Sequence, residues 1–520
     1  MSRAISTMAV GFALMGWATG AGAQALQVSS QAEEPAKAPE VRVEDGKLLL
    51  TVDEAIAMAL RRNLGIAVQR FDREEARQGI FQATGIYDLF GSASASYSDS
   101  KQATQSGFES GRFKTSTFNL GLSQLIATGG TMSLGWQSSR SDSGRPPQYP
   151  AGVQYNSVFV KTAPTLTFKQ PLLRDLGRLA TEHTILVAQV SNDISRAAFE
   201  QQVLSTVQAV ENAYWNLIQS RDQLQVAQDA LALAKELHQT NKVRVEVGTL
   251  APLELVQSEV GIAEAEETIV TAQGAVGNAE DALRRLINPE SAEVWTQPVV
   301  PETPAVMERE KIDLDQAIKT ALADRQDLAQ ARLTVKSKEL DASYFHNQRK
   351  PRLDATVSYG LSNGTEQVST VFDQITRFPT WSVGLALAIP IQNRTARAQS
   401  TIADLELDKA KAGLQDFELQ VITDVRTAVR TVETAGKQID SAKISRTLAE
   451  KNLDAERKRY ENGMSTSFQV LQIQNDLIAA KGREVTAITG YRKALVDYER
   501  ATGTLLQQLH VEISEPGQQQ

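Results

Sequence analysis

The chain has no cysteine among its 520 residues, which excludes disulfides and a lipid-modified N-terminal cysteine. Aromatic residues make up only 6 % of it, few for a conventional globular core of this length. The four histidines, at 183, 238, 346 and 510, are too scattered for a metal site. No nucleophile–base spacing, metal motif or phosphate loop occurs, so no catalytic, metal or cofactor residue is assigned and an enzyme is not expected. A net charge of −8 with both signs interspersed argues against a nucleic-acid partner. One apolar run stands out, Met8 to Trp17, after Arg3 and before the small residues Ala21-Gly22-Ala23. It is too short for a membrane span and reads as a secretory signal over 1–23.

What the chain does have is a second copy of itself. Val52-Asp53-Glu54-Ala55-Ile56 through Ala59-Leu60 recurs 262 residues later as Leu314-Asp315-Gln316-Ala317-Ile318 through Ala321-Leu322. The match runs without a gap to Ser96-Tyr97 against Ser358-Tyr359. A second match, shifted by 215, pairs Arg244-Val245-Glu246-Val247-Gly248 with Arg459-Tyr460-Glu461-Asn462-Gly463, and Gln257 with Gln472. Periods above 200 are too long for a solenoid, so each copy is expected to be a large supersecondary unit.

The expected order is a structureless lead-in over 24–47, a first repeat over 48–290, a proline-rich linker over 291–310, a second repeat over 311–507 and a tail over 508–520. Each repeat opens with a helical pattern, unbroken from Val52 to about Ala83 in the first. From Gly91 the period falls to two: Ala93, Ala95 and Tyr97 alternate with serines, and Phe118, Leu120 and Leu122 with Asn119, Gly121 and Ser123. Met132, Leu134 and Trp136 continue the alternation after the turn Ala127-Thr128-Gly129-Gly130, and Val158, Val160, Leu166 and Phe168 mark a fourth strand. The second repeat has two such strands, Leu353 to Ser362 and Trp381 to Ile389. Large residues on one face and small or polar ones on the other describe a membrane β-barrel wall, with lipid outside and water inside. A soluble sandwich also alternates and is the competing reading.

After the strands, residues 178–247 contain neither glycine nor proline. Val210, Leu217, Leu224 and Leu231 recur at seven-residue intervals, which predicts a long helix coiling against neighbours. Arg394 to Asn462 repeats the design. Basic residues and then Gly248 or Gly463 end each long helix, and a return helix starts near Pro252 or Ser467. Two helical hairpins with exposed tips follow, over about 174–288 and 393–506. Tyr214 and Trp215, mid-helix, read as packing residues.

These residues resemble the TolC-like outer-membrane efflux proteins. The resemblance rests on the duplicated Asp-x-Ala-Ile-x-x-Ala-Leu opening, Arg325-Gln326-Asp327-Leu328 (where the family usually has proline second), Gln170-Pro171-Leu172-Leu173, Ala388-Ile389-Pro390-Ile391, Arg459-Tyr460-x-x-Gly463 and Val470-Leu471-x-x-Gln474. It spans about Leu50 to Leu506. It implies an α+β membrane protein: a homotrimeric outer-membrane β-barrel continued by a long periplasmic barrel of helices. It further implies an exit duct for a tripartite efflux pump or type I secretion system, docked on a periplasmic adaptor and an inner-membrane transporter. A general porin would not need such long hairpins. A periplasmic adaptor normally has one hairpin and no membrane-type strands.

Family members usually contribute four strands per subunit, twelve in the trimer, whereas six candidates occur here. The expectation follows the family's twelve, with the extra first-half hairpin outside the wall; eighteen is the alternative. By the same resemblance, the return-helix positions that narrow the periplasmic mouth are Gln469 and Gln472, with Glu254 and Gln257 as first-repeat counterparts. Helix capping competes for Glu254 and Gln469. The tips Gly248, Thr249, Leu250 and Gly463, Met464, Ser465 are the expected adaptor contacts, against ordinary turn chemistry as the plainer alternative.

Overall fold

A computed structural model describes residues 42–44, 47–155, 157–289, 295–304, 312–365 and 378–509. The expected signal and most of the lead-in and tail lie outside the described residues. Two β-strands, β1 (Arg42–Glu44) and β2 (Lys47–Leu50), precede helices α1 (Val52–Arg62) and α2 (Leu64–Thr84). Then come β3 (Phe90–Lys101), β4 (Arg112–Leu125), β5 (Thr131–Ser143) and β6 (Val158–Pro171). A single turn, α3 (Arg178–Thr181), leads into the 64-residue α4 (His183–Glu246) and the return helix α5 (Leu253–Ile287). After β7 (Val299–Pro301) the order recurs as α6 (Leu314–Asp324), α7 (Gln326–Gln348), β8 (Arg352–Thr365), β9 (Phe378–Ala388), α8 (Arg394–Glu461) and α9 (Ser467–Thr502), closed by α10 (Leu505–Gln508).

The helix expected to run unbroken from Val52 is in fact two. Asn63 is extended (ψ 125°), and its Oδ1 accepts from the amides of Gly65 and Ile66, capping α2. A short polar side chain that bonds its neighbours' amides competes with helix propagation, which apolar periodicity does not register. Arg325 makes the equivalent break between α6 and α7. Its guanidinium is held by Asp327 at 2.7 Å and Asp424 at 3.3 Å.

The lead-in and linker also depart from expectation. β1 pairs antiparallel with β2, and β2 pairs parallel with β7, taken from the proline-rich linker. The second pairing joins segments 251 residues apart, a relation that neither piece shows by itself. Leu48, Leu50 and Val299 from this small sheet enter the main core beside Ile56, Tyr214, Leu217, Leu283, Ile287 and Leu505. Tyr214 is fully buried; its hydroxyl donates to Leu50 O and accepts from Thr303 N, both at 3.0 Å. In the second repeat, Ala317 and Ala321 of α6 pack on Val421, Val425 and Val429 of α8, as Ala55 and Ala59 of α1 join the first core.

All six long strands belong to one antiparallel sheet in the order β3-β4-β5-β6-β8-β9. The extra hairpin β4–β5 is therefore in the sheet and not outside it, which corrects the expectation. Its strands pair over Phe113 to Leu125 and continue the register to β3 on one side and β6 on the other. Pairing partners share a face. One row runs Ala93, Leu120, Trp136 and Pro164; another runs Leu134, Leu166, Tyr359 and Trp381. The opposite face carries Ser94, Asn119, Gln137, Thr165, Gly360 and Thr380.

Four helices lie abreast next to the sheet, α2 on α4, α4 on α7 and α7 on α8. At the far end the four are α4, α5, α8 and α9, joined by α4–α5, α4–α9 and α8–α9 contacts. At about 1.5 Å per residue α4 and α8 are each roughly 100 Å long. Among the described residues no helix is long and apolar enough to cross a membrane.

Candidate functional site: the hairpin tips

The two hairpins end in the same way for the same reason. After α4 the amide of Gly248 donates to Val245 O and that of Thr249 to Arg244 O; after α8 Gly463 donates to Tyr460 O and Met464 to Arg459 O. This pairing satisfies the last helical carbonyls and needs a left-handed residue, supplied by Gly248 (φ 77°) and Gly463 (φ 74°). Thr249 and Met464 then project from the tips and are exposed, while Leu250 and Ser465 are half-buried.

Just behind the tips the hairpins are tied together. Arg244 donates to Tyr460 O and Glu461 O, both at 2.9 Å, so the first hairpin supplies donors to the terminal carbonyls of α8. Its guanidinium lies 4.3 Å from the Tyr460 ring centroid. The Tyr460 hydroxyl donates to Asn241 Oδ1 at 2.6 Å, and both residues are buried. Burial pushes the Tyr460 phenol upward, with Arg244 opposing, so it is a hydrogen-bond donor throughout the neutral range. Leu237, Leu453, Val470, Ile473 and Leu477 form the apolar cluster above it. Further up, Lys481 reaches Asp229 at 2.8 Å and holds that carboxyl below the usual carboxylate range.

The sequence-derived mouth residues divide. Glu254, half-buried, accepts a hydrogen bond from Ser467 Oγ on the other hairpin's return helix. Gln257, Gln469 and Gln472 are exposed. Thr466 Oγ1 accepts from the Gln469 amide at 3.2 Å, the N-cap of α9, which engages the backbone of Gln469 and leaves its side chain outward. Sequence reasoning missed Asn241, Arg244 and Ser467 as cross-hairpin partners. Asn241 had a signal: it ends a buried seven-residue seam of Ala213, Ala227 and Ala234, where a polar residue needs a partner.

Three of the histidines have structural partners: His183 with Asp341, His346 with Asp404 and His238 with Ser258. Among the described residues no group of histidines and carboxylates could hold a metal ion.

A six-stranded sheet with one large-residue face, twofold-repeated helical hairpins and paired tips is the architecture of an outer membrane efflux protein. The chain belongs to the outer membrane efflux protein family, whose sequence pattern matches residues 129–289 and 317–504. It is 24 % identical over 342 residues to the pyoverdine export outer membrane protein OpmQ of Pseudomonas aeruginosa, covering 63 % of this chain and 66 % of that relative's length. Its fold matches that of the CmeC outer membrane channel of Campylobacter jejuni, with a TM-score of 0.63, 17 % identity and coverage of 87 % of this chain and 86 % of the other. The VceC outer membrane protein of Vibrio cholerae matches with a TM-score of 0.64, 16 % identity and coverage of 87 % and 96 %.

Proposed function

We propose that the chain forms a homotrimeric exit duct in the outer membrane, for a tripartite efflux pump or type I secretion system. The observation that carries this reading is the join of a lipid-suited sheet to hairpins about 100 Å long in a single chain. A passive porin has no use for the hairpins, and an adaptor has no use for the sheet. One copy leaves much apolar surface uncovered: Phe71 and Phe81 on α2, Ile402 and Leu405 on α8, and Trp381 and Leu385 on β9 are all more than half exposed. Neighbouring copies and lipid would cover these surfaces.

In this reading the tips at Thr249–Leu250 and Met464–Ser465 dock the periplasmic adaptor, which connects to an inner-membrane transporter. Glu254 supplies three carboxylates per trimer at the mouth, among the neutral amides of Gln257, Gln469 and Gln472, and favours cations. The test is single-channel recording of the purified trimer in a planar bilayer. Small, cation-selective steps are expected of a duct closed at its tips. Large, ohmic, unselective steps would show that the tips do not constrict it.

A further inference from the structure

The strand count departs from the helix count. Each copy places four helices abreast beside the sheet, and among the described residues the six-stranded sheet joins helices at four junctions: α2 to β3, β6 through α3 to α4, α7 to β8 and β9 to α8. β4 and β5 have no helix attached. They are joined by the short turn through Gly129 (φ 87°), closed by Ile126 N to Gly130 O at 2.7 Å and Gly129 N to Ile126 O at 2.8 Å. That turn lies at the helix-side end of the sheet, where Gly177 N donates to Thr128 O beside the start of α4.

We infer that the trimer's barrel has eighteen strands on a tube of twelve helices, with β9 of each copy pairing antiparallel to β3 of the next. This rests on the trimeric duct proposed above. Three observations carry the count. First, β3 and β9 are the two free edges of the sheet. Six alternating strands make those edges run in opposite directions, so one copy's β9 meets the next copy's β3 antiparallel, as barrel closure requires.

Second, the hairpin is written for a wall. Phe118, Leu120, Leu122, Leu134 and Trp136 lie on the same face as Leu166, Tyr359 and Trp381, while Asn119, Gly121, Ser133 and Gln137 fall on the opposite, hydroxyl-rich face. Folded out of the wall, that polar face would meet lipid with nothing to pair with. Third, the girths agree. Twelve helices about 9 Å apart set a circumference of about 110 Å. Eighteen strands about 4.8 Å apart and tilted about 40° span about 110 Å, whereas twelve span only about 75 Å. The additional hairpin thus lets the barrel meet the helical tube without a taper.

The consequence is a lumen as wide in the membrane as in the tube, lined mostly by Ser, Thr, Gly, Asn and Gln, with Lys161 and the ion-paired Lys169, Arg352 and Asp354 on the same face. Such a wall offers hydrogen bonds along most of its length, which suits passage of bulky polar cargo.

Electron cryomicroscopy of the full chain in lipid nanodiscs tests the count directly. Eighteen strands around a three-fold axis are expected. Twelve strands with the hairpin lying against the wall would overturn the inference and leave the duct intact. A particle without three-fold symmetry would overturn the duct reading, and the count with it. Deleting residues 112–143 joins two outer loops and preserves every strand direction. The barrel circumference of that variant is expected to shrink by about one-third, and an unchanged barrel would sink the inference. The count on the full chain stands whether or not the deletion variant assembles.

Discussion

The hydroxyl of Tyr460 donates to Asn241 Oδ1 at 2.6 Å, a buried bond between two hairpins that lie 219 residues apart in the chain. It is the innermost of a short series of ties that includes Arg244 on the α8 carbonyls and Ser467 on Glu254. Holding the tips together is therefore a property of side chains and can be undone one bond at a time.

Tyr460→Phe keeps the ring and its contact with Arg244 but strips Asn241 Oδ1 of its partner. A buried acceptor left unmade costs about 1–3 kcal/mol. The variant is expected to form trimers and to show a larger single-channel conductance. Wild-type conductance with an unaltered open-state frequency would refute a closing role.

Glu254→Gln removes the charge but retains an oxygen able to accept from Ser467. Cation preference measured from reversal potentials in a salt gradient should fall, with little change in step size. An unchanged preference would place the selectivity elsewhere and leave Glu254 as a helix-end and cross-hairpin residue.

At the tips, Met464→Trp or Thr249→Trp adds bulk where the side chain is exposed and the backbone is right-handed or extended. Transport in a complementation assay should drop while the trimer band survives on a native gel. Loss of the trimer would assign these positions to turn stability. Gly463→Val tests the turn itself. No atom lies within 4 Å of an added Cβ, so its cost of roughly 1–2 kcal/mol comes from the left-handed backbone alone.

Glu211 sits buried in α4, and burial pushes its carboxyl up to about 8, with Glu499 and Asp53 adding to the rise and Arg492 opposing it. The folded chain thus keeps a proton that the unfolded chain releases near the ordinary carboxyl value. Stability from this group is lost as pH rises from about 4.5 to about 8. Thermal unfolding of the trimer should show a falling midpoint across that window, and Glu211→Gln should flatten it. Parallel curves for the two proteins would show that Glu211 does not titrate there.

Periodicity made the elements legible. The glycine- and proline-free run at 178–247 is occupied by α4, and period-two alternation marked the strands. Gly248 and Gly463 end their helices because only glycine enters the left-handed region freely. Such features depend on neighbours a few residues away, so a single sequence carries them. The breaks at Asn63 and Arg325 were hidden because side-chain bonds to backbone and carboxylates, not apolar spacing, set them.

The rest belongs to tertiary structure. β7 is a strand only because the distant β2 meets it. Likewise, the sequence held the alternation of β4 and β5 but not their place between β3 and β6, because pairing register is a relation among strands. Asn241 and Tyr460 each stand in an ordinary helical pattern, and only the packing of α4 against the second hairpin turns them into a tie. Local conformation was determined by the sequence, through short-range sterics and periodicity; which surfaces meet was decided by the burial and hydrogen bonding that only the assembled fold provides.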